Sequence, residues 1–175
     1  MFDFFRRQLK KKQIDSSKLQ LDAMVYLLNY RVHYTNIIDV MPSNKQICEL
    51  FLFRSWLVQF GYRIYCNNPM LEDNIIYECV NLYQTLGVGI LNLTHNLNIE
   101  SELRDEFLDL LEDRWQTYDK VYVNSDQRII PTNDIADLVM KRLNITNIKA
   151  KEKITNDIVD VLRNIKSLTH LHLCK

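Results

Sequence analysis

The scarcity of glycine and proline constrains the fold of this chain more than any motif does. Its 175 residues include three glycines and three prolines, too few for the hairpins and phosphate-binding loops that depend on glycine. Hydrophobic residues make up 47% of the chain and charged residues 25%, a mixture typical of a globular protein with a sizeable core. We therefore expect long, uninterrupted helices and an all-α fold.

Apolar residues recur at helical spacing along most of the sequence. This pattern predicts three long helices over about residues 43–66, 70–95 and 99–122, with breaks at "NNP" and at Asn98. Helices joined by short breaks pack as antiparallel neighbours. The sequence thus predicts a single-domain bundle of about six or seven helices, with three long antiparallel helices at its centre.

Four segments make up the single domain over residues 1–175 that the sequence predicts. Residues 1–15 form an amphipathic, basic N-terminal segment, and residues 16–122 form the main bundle. Residues 123–133 are the most linker-like part of the chain because turn-forming residues cluster there. Residues 134–175 contain the C-terminal helices.

Local signals mark the starts and faces of several helices. Ser43 and Gln46 have the spacing of a capping box, in which each side chain bonds the backbone amide of the other residue. Thr132 or Asn133 is expected to cap a short helix that extends to about Leu143. The final helix is expected to bury one face, made of Ile154, Ile158, Val161, Leu162 and Ile165.

Two arginines lie on helix faces that are otherwise apolar. The helix that begins after Ser43 is apolar almost all round, which is typical of a central, buried helix, and Arg54 lies on its most apolar face. Arg114 lies among the apolar residues of the helix over residues 99–122. A guanidinium keeps its charge when buried, so each arginine needs a carboxylate, carbonyl groups or a bound anion.

These inward arginines have two interpretations. In the first, Arg54 pairs with Glu78 of the next helix, and the pair fixes the register of the bundle. In the second, the arginines bind a small anionic ligand such as a phosphate or carboxylate. Tyr62, Tyr65 and Tyr118 would then line the pocket, and an enzyme would also need Glu78 or a tyrosine for acid–base chemistry.

Charge is distributed unevenly, although the net charge is zero. Residues 1–18 carry six basic and two acidic residues, residues 69–113 one basic and ten acidic, and residues 141–175 eight basic and three acidic. The neutral total does not favour specific binding to nucleic acid, but faces of opposite charge can steer a protein partner. They can equally attract one another within a single fold, and this second interpretation is preferred. One acidic arc is expected to be a solvated helix face: Glu102, Asp105, Glu106, Asp109, Glu112 and Asp113.

The first twelve residues, "MFDFFRRQLKKK", combine a narrow apolar stripe with a basic flank. The residues concerned are Phe2, Phe5 and Leu9 in the stripe, and Arg6, Arg7, Lys10 and Lys11 in the flank. Three interpretations stay open: a first helix docked on the bundle, an arm that contacts a protein partner, or a helix lying on a membrane surface. Integral insertion is not expected, because no run of about 18 apolar residues is present.

No catalytic, nucleotide-binding or metal-binding motif stands out, so no cofactor or metal is predicted. The N-terminus lacks the apolar region of a secretory signal, and the four cysteines form no C-x-x-C pair. We therefore expect a cytoplasmic, non-catalytic helical module that binds another protein or a second copy of itself. The alternatives are a binder of, or enzyme on, a small anionic ligand, and a peripheral membrane protein.

Overall fold

The computed structural model describes residues 42–65, 101–123 and 129–173. All regular structure in these residues is helical, which confirms the all-α class. The helices are α1 (Asn44–Tyr65), α2 (Ser101–Val123), α3 (Thr132–Leu143) and α4 (Ile148–Leu173). The helices expected before residue 42 and over residues 70–95 lie outside the described residues. The helix count and the antiparallel arrangement of three long helices therefore stay predictions.

The start of α1 confirms the predicted capping box. The backbone amide of Ser43 donates to Oε1 of Gln46 at 2.9 Å, and the amide of Gln46 donates to the Ser43 hydroxyl oxygen at 3.3 Å. The prediction for α3 was wrong, because Pro131 occupies the N-cap position and no side chain caps this helix. Since the helix already begins at Thr132, both Thr132 and Asn133 belong to its first turn.

α1 is the central helix of the part of the chain that the structure describes. Every residue from Glu49 to Tyr62 is buried, which confirms the expectation from its apolar character on all sides. α2, α3 and α4 each contact α1, so its side chains meet a neighbour in several directions. Its fully buried side chains include Leu50, Phe51, Phe53, Trp56, Phe60 and Tyr62.

Ring contacts show that α1 and α2 run in the same direction. Phe53 packs on Tyr118 with ring centroids 5.5 Å apart, and Phe60 packs on Tyr122 at 4.9 Å. Trp56 lies between these two contacts and stacks on Tyr118 at 5.0 Å. The contacting residues therefore follow in the same order along both helices, and aromatic side chains fill the space between α1 and α2.

α4 also lies along α1 in the same direction. Arg54 pairs with Asp157, and Gly61 packs against Ile165 further along both helices. A β-carbon added to Gly61 would lie 2.7 Å from Cδ1 of Ile165 and 3.2 Å from Cδ2 of Leu162. Glycine at this position therefore permits a close approach of the two helices.

The C-terminal helices share the core of α1. The predicted face of α4 is confirmed as buried, at 3% exposure or less for each residue: Ile154, Ile158, Val161, Leu162 and Ile165. α3 ends at Asn144, which adopts the left-handed conformation with φ 54° and ψ 48°. No helix among residues 42–65, 101–123 and 129–173 is long and apolar enough to cross a bilayer.

Candidate functional site

Arg54 lies in the core, where the sequence places it. Its side chain is 2% exposed, and its Nη1 donates to Oδ2 of Asp157, whose side chain is 9% exposed. The pair joins α1 to α4 and so helps to fix the register of these helices. The expected partner Glu78 lies outside the described residues. Asp157 was not predicted from the sequence as the partner of Arg54, although its position at the edge of the buried stripe of α4 could have indicated this role.

Arg114 joins α2 to α1 through a bidentate ion pair with Glu49. Its Nε donates to Oε2 of Glu49 at 3.0 Å, and its Nη2 donates to Oε1 at 2.8 Å. The remaining nitrogen, Nη1, donates to Oδ2 of Asp113 at 2.5 Å. The hydrogen bond to Glu49 is the main cause that raises the pKa of Arg114. Because all three nitrogens donate to carboxylates, this geometry favours the structural interpretation of Arg114.

A third charged contact between α1 and α2 centres on Asp119. Its Oδ1 accepts a hydrogen bond from Trp56 Nε1 at 2.9 Å, and Arg63 donates to both carboxylate oxygens at 2.7 and 2.9 Å. The Arg63 guanidinium also lies 5.4 Å from the ring centroid of Phe60. Sequence reasoning missed Asp119 because it treated the neighbouring aromatic residues as apolar core alone.

The three predicted tyrosines lie in different surroundings. Tyr62 and Tyr118 are each 1% exposed, whereas Tyr65 is half-buried. Burial raises the pKa of Tyr118 well above its usual range, against an opposing effect of Arg142. Burial also raises the pKa of Tyr65, and Lys166 lies 5.8 Å from its ring centroid. Tyr118 therefore belongs to the contact of α1 with α2, and Tyr65 adjoins Lys166 of α4.

Cys48 precedes Glu49 at the start of the buried part of α1. Burial is the main cause that raises the pKa of this thiol to about 11, with a further contribution from Glu49 and an opposing one from Arg114. A thiol with this pKa is almost entirely protonated at neutral pH. Because the thiolate is the reactive form, Cys48 is a poor nucleophile.

The remaining sequence candidates divide between exposed residues and residues that the structure does not describe. The N-terminal set lies outside the described residues: Phe2, Phe5, Arg6, Arg7, Leu9, Lys10 and Lys11. Asp109, Glu112 and Asp113 of the acidic arc are exposed on α2. Within the described ranges, no group of three or more His, Cys, Asp and Glu residues could hold a metal ion.

Comparison of the chain with models of protein families, with curated proteins and with solved structures finds no match.

Proposed function

We propose that this protein is a non-catalytic helical module that binds another protein through a charged surface. The observation that carries the proposal is the two-sided character of α2. Asp109, Glu112 and Asp113 are exposed on one side of this helix, and Leu111 and Tyr118 are buried on another. We call the three exposed carboxylates the α2 acidic surface. The buried side of α2 packs on the core and holds the helix in place, so the α2 acidic surface is available to a partner.

The charged groups of the described core support a structural rather than a catalytic role for it. Arg54 pairs with Asp157, Arg114 with Glu49, and Arg63 with Asp119. Ion pairs between helices specify which helices meet and in which register. The two arginines proposed for an anionic ligand, Arg54 and Arg114, thus contribute to the contacts that hold α1, α2 and α4 together.

The acid–base properties of the buried groups also support a non-catalytic role. General acids and bases work best when their pKa lies near the working pH. Burial instead moves the pKa of Cys48 and of Tyr118 further above neutral pH. Both groups therefore stay protonated under physiological conditions, as expected for packed residues of a scaffold.

A basic partner matches the α2 acidic surface. Complementary charge raises the association rate and favours correct partners over wrong ones. A second copy of this chain is one such partner, because residues 1–18 and 141–175 are rich in lysine and arginine. Exposed cations in the second of these segments include Lys141, Lys149, Arg163 and Lys166. The module that we infer is the single-domain bundle of six or seven helices expected from the sequence.

A pair of charge reversals tests this proposal. The variant Asp109→Lys/Glu112→Lys changes the α2 acidic surface and leaves Asp113 beside Arg114. The matched control, Glu152→Lys/Asp160→Lys, makes the same change of charge at exposed positions of α4. Quantitative crosslinking mass spectrometry in the source cells, with sedimentation velocity of the purified chain, measures binding to other proteins and to itself.

We expect the α2 variant to lose a partner, or self-association, that the α4 control retains. Binding should also weaken as the salt concentration rises, because exposed charges are screened. Identical partners and identical self-association for both variants would contradict the proposal. Turnover of a small metabolite by the purified chain, lost in a folded Arg54 variant, would contradict the non-catalytic assignment.

A further inference from the structure

The start of α1, the end of α3 and the start of α4 lie at one end of the described helices. Gln46 Nε2 donates to the carbonyl oxygen of Leu143 at 2.9 Å, which places the end of α3 beside the start of α1. α4 runs in the same direction as α1, so its first turn lies at this end as well. The α2 acidic surface is also at this end, because it directly precedes Arg114, which pairs with Glu49 near the start of α1.

The connection between α3 and α4 is held by contacts on both sides. Asn144 ends α3 in the left-handed conformation. The side-chain oxygen of Asn147 accepts a hydrogen bond from the backbone amide of Lys149 at 2.9 Å, which caps the start of α4. Lys151 Nζ lies 2.5 Å from Oδ1 of Asp137, so an ion pair joins the two helices close to their connection. These contacts restrict the backbone that carries the exposed side chains of this connection.

Three exposed lysines and one exposed isoleucine lie at this end. Lys141 is one turn beyond Asp137 on α3. Ile148, which is 75% exposed, is one turn before Lys151 on α4. Because Asp137 pairs with Lys151, Lys141 and Ile148 lie on the same side of the two helices, next to their connection. Together with two exposed lysines of the first turns of α1 and α4, they form what we call the basic corner: Lys45, Lys141, Ile148 and Lys149.

The lysines of the basic corner are not matched by carboxylates of the described residues. No ion pair among residues 42–65, 101–123 and 129–173 involves any of the three. On the α2 acidic surface, Asp109 and Glu112 likewise form no ion pair within these ranges. The attraction between opposite charges of one chain therefore does not take the form of ion pairs between these two surfaces.

We propose that the basic corner binds the α2 acidic surface of a second copy of this chain, so that two copies form a closed dimer with two-fold symmetry. Because both surfaces lie at one end of the described helices, a two-fold axis can bring each corner to the acidic surface of the other copy. The contact between opposite charges is then made twice. Ile148 supplies apolar area among the lysines, as in interfaces with an apolar centre and a polar rim.

A second copy fits this end of the molecule better than an anionic membrane does. A membrane surface of negative charge attracts lysines, but it would also meet and repel the α2 acidic surface at the same end. A second copy presents both signs of charge and so satisfies both surfaces. This inference rests on the proposed function, since it names the partner of the α2 acidic surface.

Sedimentation velocity of the full-length protein over a range of concentrations tests the dimer. The variant Lys141→Glu/Lys149→Glu reverses the corner, and the control Arg163→Glu/Lys166→Glu makes the same change of charge at exposed positions further along α4. We expect the unchanged chain to form a species of twice its own mass. The Kd for dimerisation should rise at least about a hundredfold in the corner variant, because like charges then meet at both contacts, and should change little in the control.

A mixing experiment separates this contact from general attraction between charged chains. The variant Asp109→Lys/Glu112→Lys should also fail to dimerise alone, but an equimolar mixture with the corner variant restores opposite charges at both contacts and should dimerise. A mixture of the same α2 variant with the Arg163→Glu/Lys166→Glu control has the same overall charges and restores only one contact. It should therefore bind at least about tenfold more weakly.

The outcomes distinguish this inference from the proposed function. A chain that stays monomeric, or that assembles beyond two copies, overturns the closed dimer. If reversal of the corner leaves the Kd unchanged while the α2 variant loses self-association, the corner is refuted and the role of the α2 acidic surface stands. If neither self-association nor any crosslinked partner depends on the α2 acidic surface, both proposals fail. Binding of a monomeric chain to anionic vesicles that the corner variant loses would assign the corner to a membrane instead.

Discussion

Replacing Arg54 by methionine should destabilise this protein strongly. The change keeps much of the side-chain volume but removes the guanidinium that donates to Asp157. Asp157 is 9% exposed, so water can reach its carboxylate only poorly after the change. Breaking a buried ion pair by removing one partner costs about 3–5 kcal/mol. That is a large fraction of the roughly 5–15 kcal/mol that stabilises a typical folded domain.

A double-mutant cycle separates the ion pair from general packing effects. We expect Arg54→Met and Asp157→Leu each to lower the free energy of unfolding, because each leaves one buried charge behind. The double variant Arg54→Met/Asp157→Leu leaves neither charge and should recover at least about 2 kcal/mol relative to the sum of the single changes. Urea unfolding followed by circular dichroism provides the four free energies.

An exposed pair supplies the control for this experiment. Arg163 and Asp160 of α4 are 70% and 63% exposed, and exposed ion pairs contribute about 0–1 kcal/mol. Arg163→Met should therefore change the free energy of unfolding by less than about 1 kcal/mol. A similarly small effect of Arg54→Met, or strictly additive single changes, would refute the assignment of the Arg54–Asp157 pair as a buried contact between α1 and α4.

Three further outcomes follow from individual contacts. Gly61→Ala should destabilise the protein in urea unfolding, because overpacking costs about 1–3 kcal/mol and outweighs the roughly 1 kcal/mol gained in helix propensity. Gly61→Ala should cost less in an Ile165→Val background, which lacks the obstructing Cδ1, than in the unchanged chain, and an equal cost in both backgrounds would contradict the close approach. Glu49→Gln should lower the free energy of unfolding by about 1–3 kcal/mol, because Arg114 loses a charged acceptor, and an unchanged urea midpoint would argue against this pair. Alkylation of Cys48 by iodoacetamide, followed by peptide mass spectrometry, should be slow at pH 8 and accelerate towards pH 11, since its thiolate forms only near the raised pKa. Fast alkylation at pH 7 would show that the thiol is not buried.

α1 combines two roles that are usually divided between helices. Its aromatic side chains fill the core, while Glu49, Arg54 and Arg63 pair with three different residues of α2 and α4. Hydrophobic burial supplies most of the stabilisation because it is non-directional and scales with area. The ion pairs add little net stability but restrict the packing to one arrangement. Changes to α1 should therefore affect the orientation of its neighbours as well as the stability of the fold.

Features that depend on neighbouring residues along the chain could be predicted from the sequence. The capping box of Ser43 and Gln46 was predicted because its partners are three residues apart. The buried face of α4 followed from helical periodicity, and the central position of α1 followed from its lack of a polar side. The cap of α3 was the exception, since Pro131 occupies the N-cap position, one residue before the polar residues Thr132 and Asn133 that were expected to cap this helix.

The candidate sites depended on pairings that no local pattern encodes. Periodicity placed Arg54 on an apolar face, but its partner Asp157 lies 103 residues further along the chain. Sequence alone determined the helical class, several helix boundaries and the inward direction of two arginines, because these depend on local backbone geometry and hydrophobic periodicity. Tertiary structure decided which charges meet, because the approach of side chains on different helices is set by how the helices pack together.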